Sequence, residues 1–248
     1  MNSISPVILP TVEEMGKAAA DYGASLLREI LLTKERVNLV VATGASQFTV
    51  LSNLISQTDI DWSRVHGFHL DEYVGVSDNH PASFCRYLRE RFVEKVPLAS
   101  FEYIQGDCLN PDDECTRLAD LLERSTLDLA FVGIGENGHL AFNDPPADFE
   151  SDNSYMVVEL DEVCRLQQMG EGWFEILEEV PRQAISMSIR QIMKIENIVC
   201  SVPDLRKAEA VESAIEGPVT PDLPASILQH HQKVKVFLDQ KAASGLSL

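Results

Sequence analysis

The chain has 248 residues, of which 45% are hydrophobic and 24% charged, and its formal net charge is −19. This composition excludes a disordered chain, and the negative charge argues against nucleic acid and anionic membranes as partners. The five cysteines contain no CxxC pair and no apolar run reaches 18 residues, so we expect neither a disulfide framework nor a metal site, and a soluble, cytoplasmic, single-domain protein.

The predicted elements begin with a helix capped by Thr11, and the first clear strand follows at 37–41. This strand runs into a loop of small and hydroxyl-bearing residues, namely Thr43, Gly44, Ala45 and Ser46. A helix begins directly after the loop, and the unpaired amides and dipole of a helix N-terminus favour a phosphate. The alternative is a plain capping turn in which Ser46 caps its own helix and binds nothing.

A second predicted strand at 65–70 ends in two carboxylates, Asp71 and Glu72. In a parallel sheet, the carboxyl ends of the strands share one edge, where open α/β sheets bind ligands. Asp71 is therefore a candidate acid or base, although a role as a loop cap fits the spacing equally well. A helix is predicted to follow with Pro81 in its first turn, and another is predicted over about 111–123.

A third apolar strand, at 127–132, breaks into the glycine-rich segment GIGENGHLAFNDP. Histidine side chains in general titrate near neutral pH, so His139, beside Asn137 and Asp144, is a candidate to move a proton to or from a substrate oxygen. The alternative is a hydrogen-bonded turn without chemistry. No acidic residue follows at the spacing typical of a dinucleotide site, so the glycines do not indicate a nucleotide cofactor.

The stretch at about 148–181 shows no long strand, and an excursion of this length between sheet elements often forms a lid. Strands are predicted at 184–189, 197–202 and 234–238, with Arg206 and Lys207 at a strand-to-helix junction suited to hold an anion. The alternative for these two cations is ordinary surface charge. Because strands alternate with helices, we predict a doubly wound, three-layer αβα fold with a mainly parallel, Rossmann-like sheet.

Four segments together give the chain a resemblance to the glucosamine-6-phosphate deaminase/isomerase family, whose superfamily includes 6-phosphogluconolactonases. They are ATGAS at 42–46, LDEYVG at 70–75, GxxxxGHxAFNxP at 133–145 and RKAEAVESAIEG at 206–217. The match spans nearly the whole chain. The AFN after His139 favours the deaminase branch, because the lactonases are similar up to that histidine and then diverge.

The resemblance implies conversion of glucosamine 6-phosphate, or a close analogue, to fructose 6-phosphate and ammonia without a cofactor. Asp71 would move a proton between C2 and C1, and His139 would act on the ring oxygen. Asn137 and Asp144 would complete the catalytic set, and Glu72 and Lys207 would join the 43–46 loop in binding the substrate. The expected partner is a small sugar phosphate, and a homo-oligomer is left open.

The chain departs from the pattern of the family at three places. Asn137 stands where an aspartate is expected, and Asp144 stands where a glutamate is expected, so His139 must either rely on Asp144 for a negative charge or work at a changed pKa. The lid has Glu171 near the position of an expected phosphate-binding arginine, and Arg165 is the nearest alternative. Two other functions stay open: lactone hydrolysis, and a non-catalytic sugar-phosphate sensor.

Overall fold

A computed structural model describes residues 4–123 and 125–247, with the backbone but not the side chain of Ala45. The strands are Val7–Leu9 (β1), Val37–Val41 (β2), Val65–His69 (β3), Asp71–Tyr73 (β4), Ser100–Glu102 (β5), Leu129–Val132 (β6), Tyr155–Glu159 (β7), Gln183–Met187 (β8), Asn197–Val202 (β9) and Val234–Asp239 (β10). The helices are Val12–Thr33 (α1), Phe48–Leu54 (α2), Phe84–Arg91 (α3), Pro111–Glu123 (α4), Glu162–Gly170 (α5), Ile189–Ile192 (α6) and Ala208–Glu216 (α7).

Seven strands form a parallel sheet in the order β1-β10-β9-β6-β2-β3-β5. Side chains alternate across β2, so that Leu39 and Val41 pack on one face and Val40 on the other. Helices α1, α2 and α3 cover the first face, while α4 and α7 cover the second. The predicted three-layer αβα fold with a parallel sheet is confirmed.

A second sheet of three antiparallel strands, in the order β4-β8-β7, was not predicted. Asp71 pairs with Ser186 and Tyr73 with Ala184, so the residues expected to lie in a loop after β3 form a short strand. Tyr155–Glu159 supplies the outer strand from within the stretch in which no long strand was expected. This small sheet fixes the backbone of Asp71 beside the end of the main sheet.

One strand was not predicted, and one predicted helix boundary is wrong. The strand β1 precedes α1 and pairs with β10. It has only three residues, so its sequence gives no strand signal until its partner β10 is known. Helix α3 begins at Phe84, because Ser83 caps it by accepting a hydrogen bond from the Arg86 amide, and Pro81 lies in the turn before it. Among the helices that the structure describes, none combines the length and apolarity needed to cross a bilayer.

Candidate active site

A cavity of about 350 Å³ opens at the carboxyl edge of the main sheet. Segments that follow β2, β3, β6, β9 and β10 line it, as expected for parallel strands whose carboxyl ends share one edge. Of the residues predicted for the site, the cavity wall contains Thr43, Gly44, Ser46, Asp71, His139 and Lys207. The fold thus brings together side chains that lie as far apart as 43 and 207 in the sequence.

Asp71 is a buried carboxylate in the wall of this cavity, with only 6% of its surface exposed. Burial, together with the neighbouring charge of Glu72, raises the pKa of Asp71 to about 8. Within the described residues, no side chain or amide donates a hydrogen bond to its carboxylate. A desolvated carboxyl group with free lone pairs and a pKa near neutrality is suited to exchange protons with a bound molecule.

The glycine turn after β6 fixes His139 against the cavity wall. The Gly135 amide donates to the His139 carbonyl at 3.0 Å, and a Cβ on Gly135 would lie 2.2 Å from the imidazole, so only glycine allows the ring to lie there. The imidazole Nδ1 lies 3.2 Å from Oδ1 of Asp144. The two groups are close enough for an ion pair, but they are not aligned for a hydrogen bond. Asp144 thus places a carboxylate beside the His139 ring, as the sequence led us to expect.

Asn137 contacts His139 through the backbone rather than through the ring. Its Oδ1 accepts the His139 amide at 3.1 Å, while its Nδ2 donates to Asp144 at 3.1 Å and to Asp161 at 3.3 Å. Burial acts to raise the pKa of Asp144, but His139, the Asp161 amide and Asn137 outweigh it and lower that pKa. An amide at position 137 therefore bridges two carboxylates that would otherwise repel each other.

The loop after β2 and the start of α7 form the cationic end of the cavity. Gly44 has a φ of +87°, a left-handed conformation that glycine adopts without strain. Lys207 is buried, and burial lowers the pKa of its ammonium against the opposing effect of Glu136 and Glu171. The Lys207 Nζ lies 3.8 Å from Oε1 of Glu136.

The predicted binding residue Glu72 does not line this cavity. Its carboxylate accepts hydrogen bonds from the Ser83 hydroxyl at 2.7 Å and from the amides of Phe84 and Cys85 at 3.2 and 2.9 Å. Glu72 therefore fixes the N-terminus of α3, where a carboxylate also complements the helix dipole. The side chain of Ala45 lies outside the described part of the structure.

The residues of 148–181 in the cavity wall do not include the arginine that the family resemblance led us to expect. Arg165 donates to the carbonyls of Leu177 and Val180, so it braces the segment after α5 rather than the cavity. Gln167 and Glu171 line the cavity instead. Gln167 Nε2 donates to Glu171 Oε1 at 3.2 Å, while the other oxygen of Glu171 is buried and lacks a partner among the described residues.

Sequence reasoning also missed polar residues that line the cavity, among them Gln168, Asp239 and Lys241. Lys241 comes two residues after the end of β10. A polar residue that follows a parallel strand is expected at the carboxyl edge of the sheet, and the same signal located Asp71. The lining residues on and next to α5 carry no comparable signal, because their position depends on how α5 packs over the main sheet.

This fold and site define an α/β protein with a sheet-edge cavity that holds a carboxylate, an imidazole and a buried lysine. The sequence profile described as "Glucosamine-6-phosphate isomerases/6-phosphogluconolactonase" matches residues 10–237. The chain belongs to this family.

Similar proteins support the same assignment. Glucosamine-6-phosphate deaminase of Oenococcus oeni is 38% identical over 207 residues, which are 84% of this chain and 86% of that protein. The protein of the same name from an Exiguobacterium species is 39% identical over 220 residues, 89% of this chain and 85% of that one. A solved structure of a monomeric glucosamine-6-phosphate deaminase superposes with a TM-score of 0.90 at 30% identity, covering 98% of this chain and all of that one.

The lactonase branch shares the fold at lower identity. 6-Phosphogluconolactonase from Trypanosoma brucei superposes with a TM-score of 0.80 at 15% identity over 99% of this chain and all of that one. This likeness extends to the architecture alone.

Proposed function

We propose that this chain is an amino-sugar phosphate deaminase that converts glucosamine 6-phosphate, or a close analogue, and water to fructose 6-phosphate and ammonia. The observation that carries the proposal is the presence of Asp71, His139 and Lys207 in one cavity. Ring opening and a proton shift between adjacent carbons need a group at the ring oxygen, a base at C2 and a fixed phosphate. These three side chains supply one group for each task.

His139 opens the ring by taking the proton of the C1 hydroxyl and returning it to the ring oxygen, so that the bond between C1 and the ring oxygen breaks as the C1 carbonyl forms. Asp144 stabilises the imidazolium form through its 3.2 Å contact. Asp71 then takes the proton from C2 and delivers it to C1. Its pKa of about 8 makes the carboxylate basic enough to accept a carbon-bound proton and the acid strong enough to release it. Water replaces the nitrogen that leaves as ammonia.

The phosphate lies between the 43–46 loop and Lys207. The backbone amides at the start of the 3-10 turn Ala45–Gln47 and of α2 are suited to donate hydrogen bonds to an anion. Burial in the cavity disfavours the charge on Lys207, so a phosphate restores the interaction that favours the ammonium form.

We propose in addition that 148–181 acts as a lid on a single-domain enzyme. The segment places Gln167, Gln168 and Glu171 over the cavity. β7 anchors the segment in the small sheet, and hydrogen bonds that include the Glu136 amide to Gln167 at 2.9 Å and the Tyr73 hydroxyl to Gln168 at 2.8 Å connect α5 to the cavity wall. Gly172 has a φ of +85° and open space where a Cβ would lie, so it gives the segment freedom to open.

We further propose a cytoplasmic location and no nucleic-acid partner. All five cysteines are free thiols and four of them are buried, an arrangement that suits a reducing compartment. The net charge of −19 opposes binding to polyanions.

The function is tested by measuring ammonia release across a panel of amino-sugar phosphates, with Asp71→Asn as the variant. We expect turnover of glucosamine 6-phosphate or a close analogue, near-complete loss in Asp71→Asn, and phosphate-ligand affinity within a few fold of the wild type. Solvent-hydrogen exchange at C2 should disappear in parallel.

Two other results would replace the proposal. Hydrolysis of 6-phosphogluconolactone without ammonia release would assign the chain to the lactonase activity. Tight binding of sugar phosphates without any turnover would assign it to a sensor. Retention of a tenth of the wild-type exchange in Asp71→Asn would remove Asp71 from the role of base.

A further inference from the structure

Three side chains with metal-binding atoms converge behind the cavity wall: His139, Asp144 and Cys164. One ligand atom from each, the imidazole nitrogen, a carboxylate oxygen and the thiol sulfur, lies within 4.8 Å of the other two. We propose that these residues form an inhibitory site for a thiophilic divalent cation of the zinc type. Binding of the cation follows from this geometry alone, whereas its inhibitory effect rests on the proposed function.

The nitrogen of His139 that faces the group is available to a metal. Nδ1 is buried and has no aligned hydrogen-bond partner among the described residues, although Oδ1 of Asp144 lies 3.2 Å away. Imidazole nitrogen and carboxylate oxygen bind zinc at about 2.0–2.2 Å, so two such ligands in a tetrahedral site lie roughly 3.3 Å apart. The observed separation already meets this requirement.

Asp144 is held in the way that metal ligands are held. Its Oδ2 accepts the Asp161 amide at 3.0 Å, and its Oδ1 accepts the Asn137 side-chain amide at 3.1 Å. Outer-shell hydrogen bonds of this kind orient a carboxylate toward a metal and are a regular part of zinc sites.

Cys164 supplies the third ligand from the lid. Its side chain is fully buried in the first turn of α5, where the backbone amide donates to the capping carboxylate of Asp161 at 2.6 Å. The thiol is not engaged in a disulfide. Coordination forms the metal–sulfur bond, breaks the S–H bond and releases one proton to solvent.

One nitrogen, one oxygen and one sulfur ligand leave a fourth tetrahedral position for water. A bound cation would join the loop of His139 to the lid helix α5. It would also occupy Nδ1 of His139, the nitrogen that Asp144 contacts during ring opening. Both effects would stop turnover while leaving the fold intact.

Cobalt(II) is the spectroscopic probe, because thiolate ligation gives an absorption band in the near ultraviolet that nitrogen and oxygen ligands do not give. The full chain is titrated with Co²⁺ and, separately, with Zn²⁺ in competition with a chromogenic chelator. The variants are Cys164→Ala and, as a matched control, Cys108→Ala, a half-buried cysteine outside the cluster. Circular dichroism confirms that each variant is folded, and Asp144→Asn serves as a second ligand variant.

We expect one Co²⁺ per chain with a thiolate band in the wild type and in Cys108→Ala, and loss of that band in Cys164→Ala. Zinc affinity should fall about 100-fold or more in Cys164→Ala, since loss of an outer-shell partner alone costs about 10–100-fold. A bound Co²⁺ without a thiolate band, or equal zinc affinity in Cys164→Ala and wild type, overturns the site.

Activity measurements separate this proposal from the proposed function. Zinc at the concentration that fills the site should inhibit ammonia release by the wild type and by Cys108→Ala. A filled site without inhibition overturns the inhibitory role. A chain that releases no ammonia from any amino-sugar phosphate contradicts the proposed function, while the Co²⁺ spectrum still decides whether the metal site exists.

Discussion

Replacement of Asp71 by asparagine should stabilise the protein while it removes the proposed base. The pKa of Asp71 is raised from 3.8 to about 8 because the carboxylate is buried beside Glu72. The folded state therefore favours the protonated form, and the stability that this group contributes below pH 3.8 is lost as pH rises toward 8. Asparagine has nearly the same shape and stays neutral at every pH.

The size of the effect follows from the two pKa values. Each pH unit between them costs the wild type about 1.4 kcal/mol of unfolding free energy. At about pH 5 the difference between Asp71→Asn and wild type should be about 2 kcal/mol, and at about pH 7 about 4 kcal/mol. Above about pH 8 the difference should stay constant, because Asp71 is then ionised in both the folded and the unfolded chain.

The assay is urea unfolding of both proteins at pH 5, 6, 7, 8 and 9, with the unfolding free energy extrapolated to water. Asp120→Asn, which changes an exposed aspartate on α4, is the control and should show no pH-dependent difference from the wild type. If Asp71→Asn differs from the wild type by the same amount at pH 5 and pH 8, the carboxyl group does not titrate as its burial requires, and its role as a base loses its physical support.

The geometry of the cavity leads to four further predictions. The acidic limb of the kcat/KM profile should have its midpoint near pH 8, because Asp71 must be a carboxylate to accept the C2 proton; a profile that is flat between pH 6 and 9 would contradict this. Lys207→Ala should weaken the binding of phosphorylated sugars, measured by calorimetry, far more than the binding of their unphosphorylated analogues. Equal weakening of both would place the phosphate elsewhere. Glu171→Gln should tighten phosphate-ligand binding several-fold, which corresponds to about 1 kcal/mol, because it removes a negative charge that repels the phosphate beside Lys207. The exposed control Glu175→Gln should not change the affinity. Asn137→Asp should lower the melting temperature more at pH 8 than at pH 5.5, because it replaces the amide that bridges Asp144 and Asp161 by a third carboxylate. A melting temperature equal to that of the wild type at both pH values would show that this bridge does not stabilise the protein.

The sequence by itself determined the main sheet and the principal reacting groups. Continuous apolar runs such as Leu129–Val132 are typical of strands buried on both faces of a parallel sheet, so their positions indicate the layers. Because all such strands end at one edge, Asp71, His139 and Lys207 could be assigned to a common site without any knowledge of distances. The family resemblance supplied their expected roles.

Tertiary structure alone decided how the side chains around these groups are used. Glu72 follows Asp71 directly, yet the pairing of β4 with β8 sends its carboxylate to the N-terminus of α3. Glu171 and Cys164 approach the site only because α5 packs over the sheet edge, and no local spacing encodes that approach. Periodicity reports which face of an element is buried, whereas contacts between side chains distant in sequence depend on the packing of whole elements against each other.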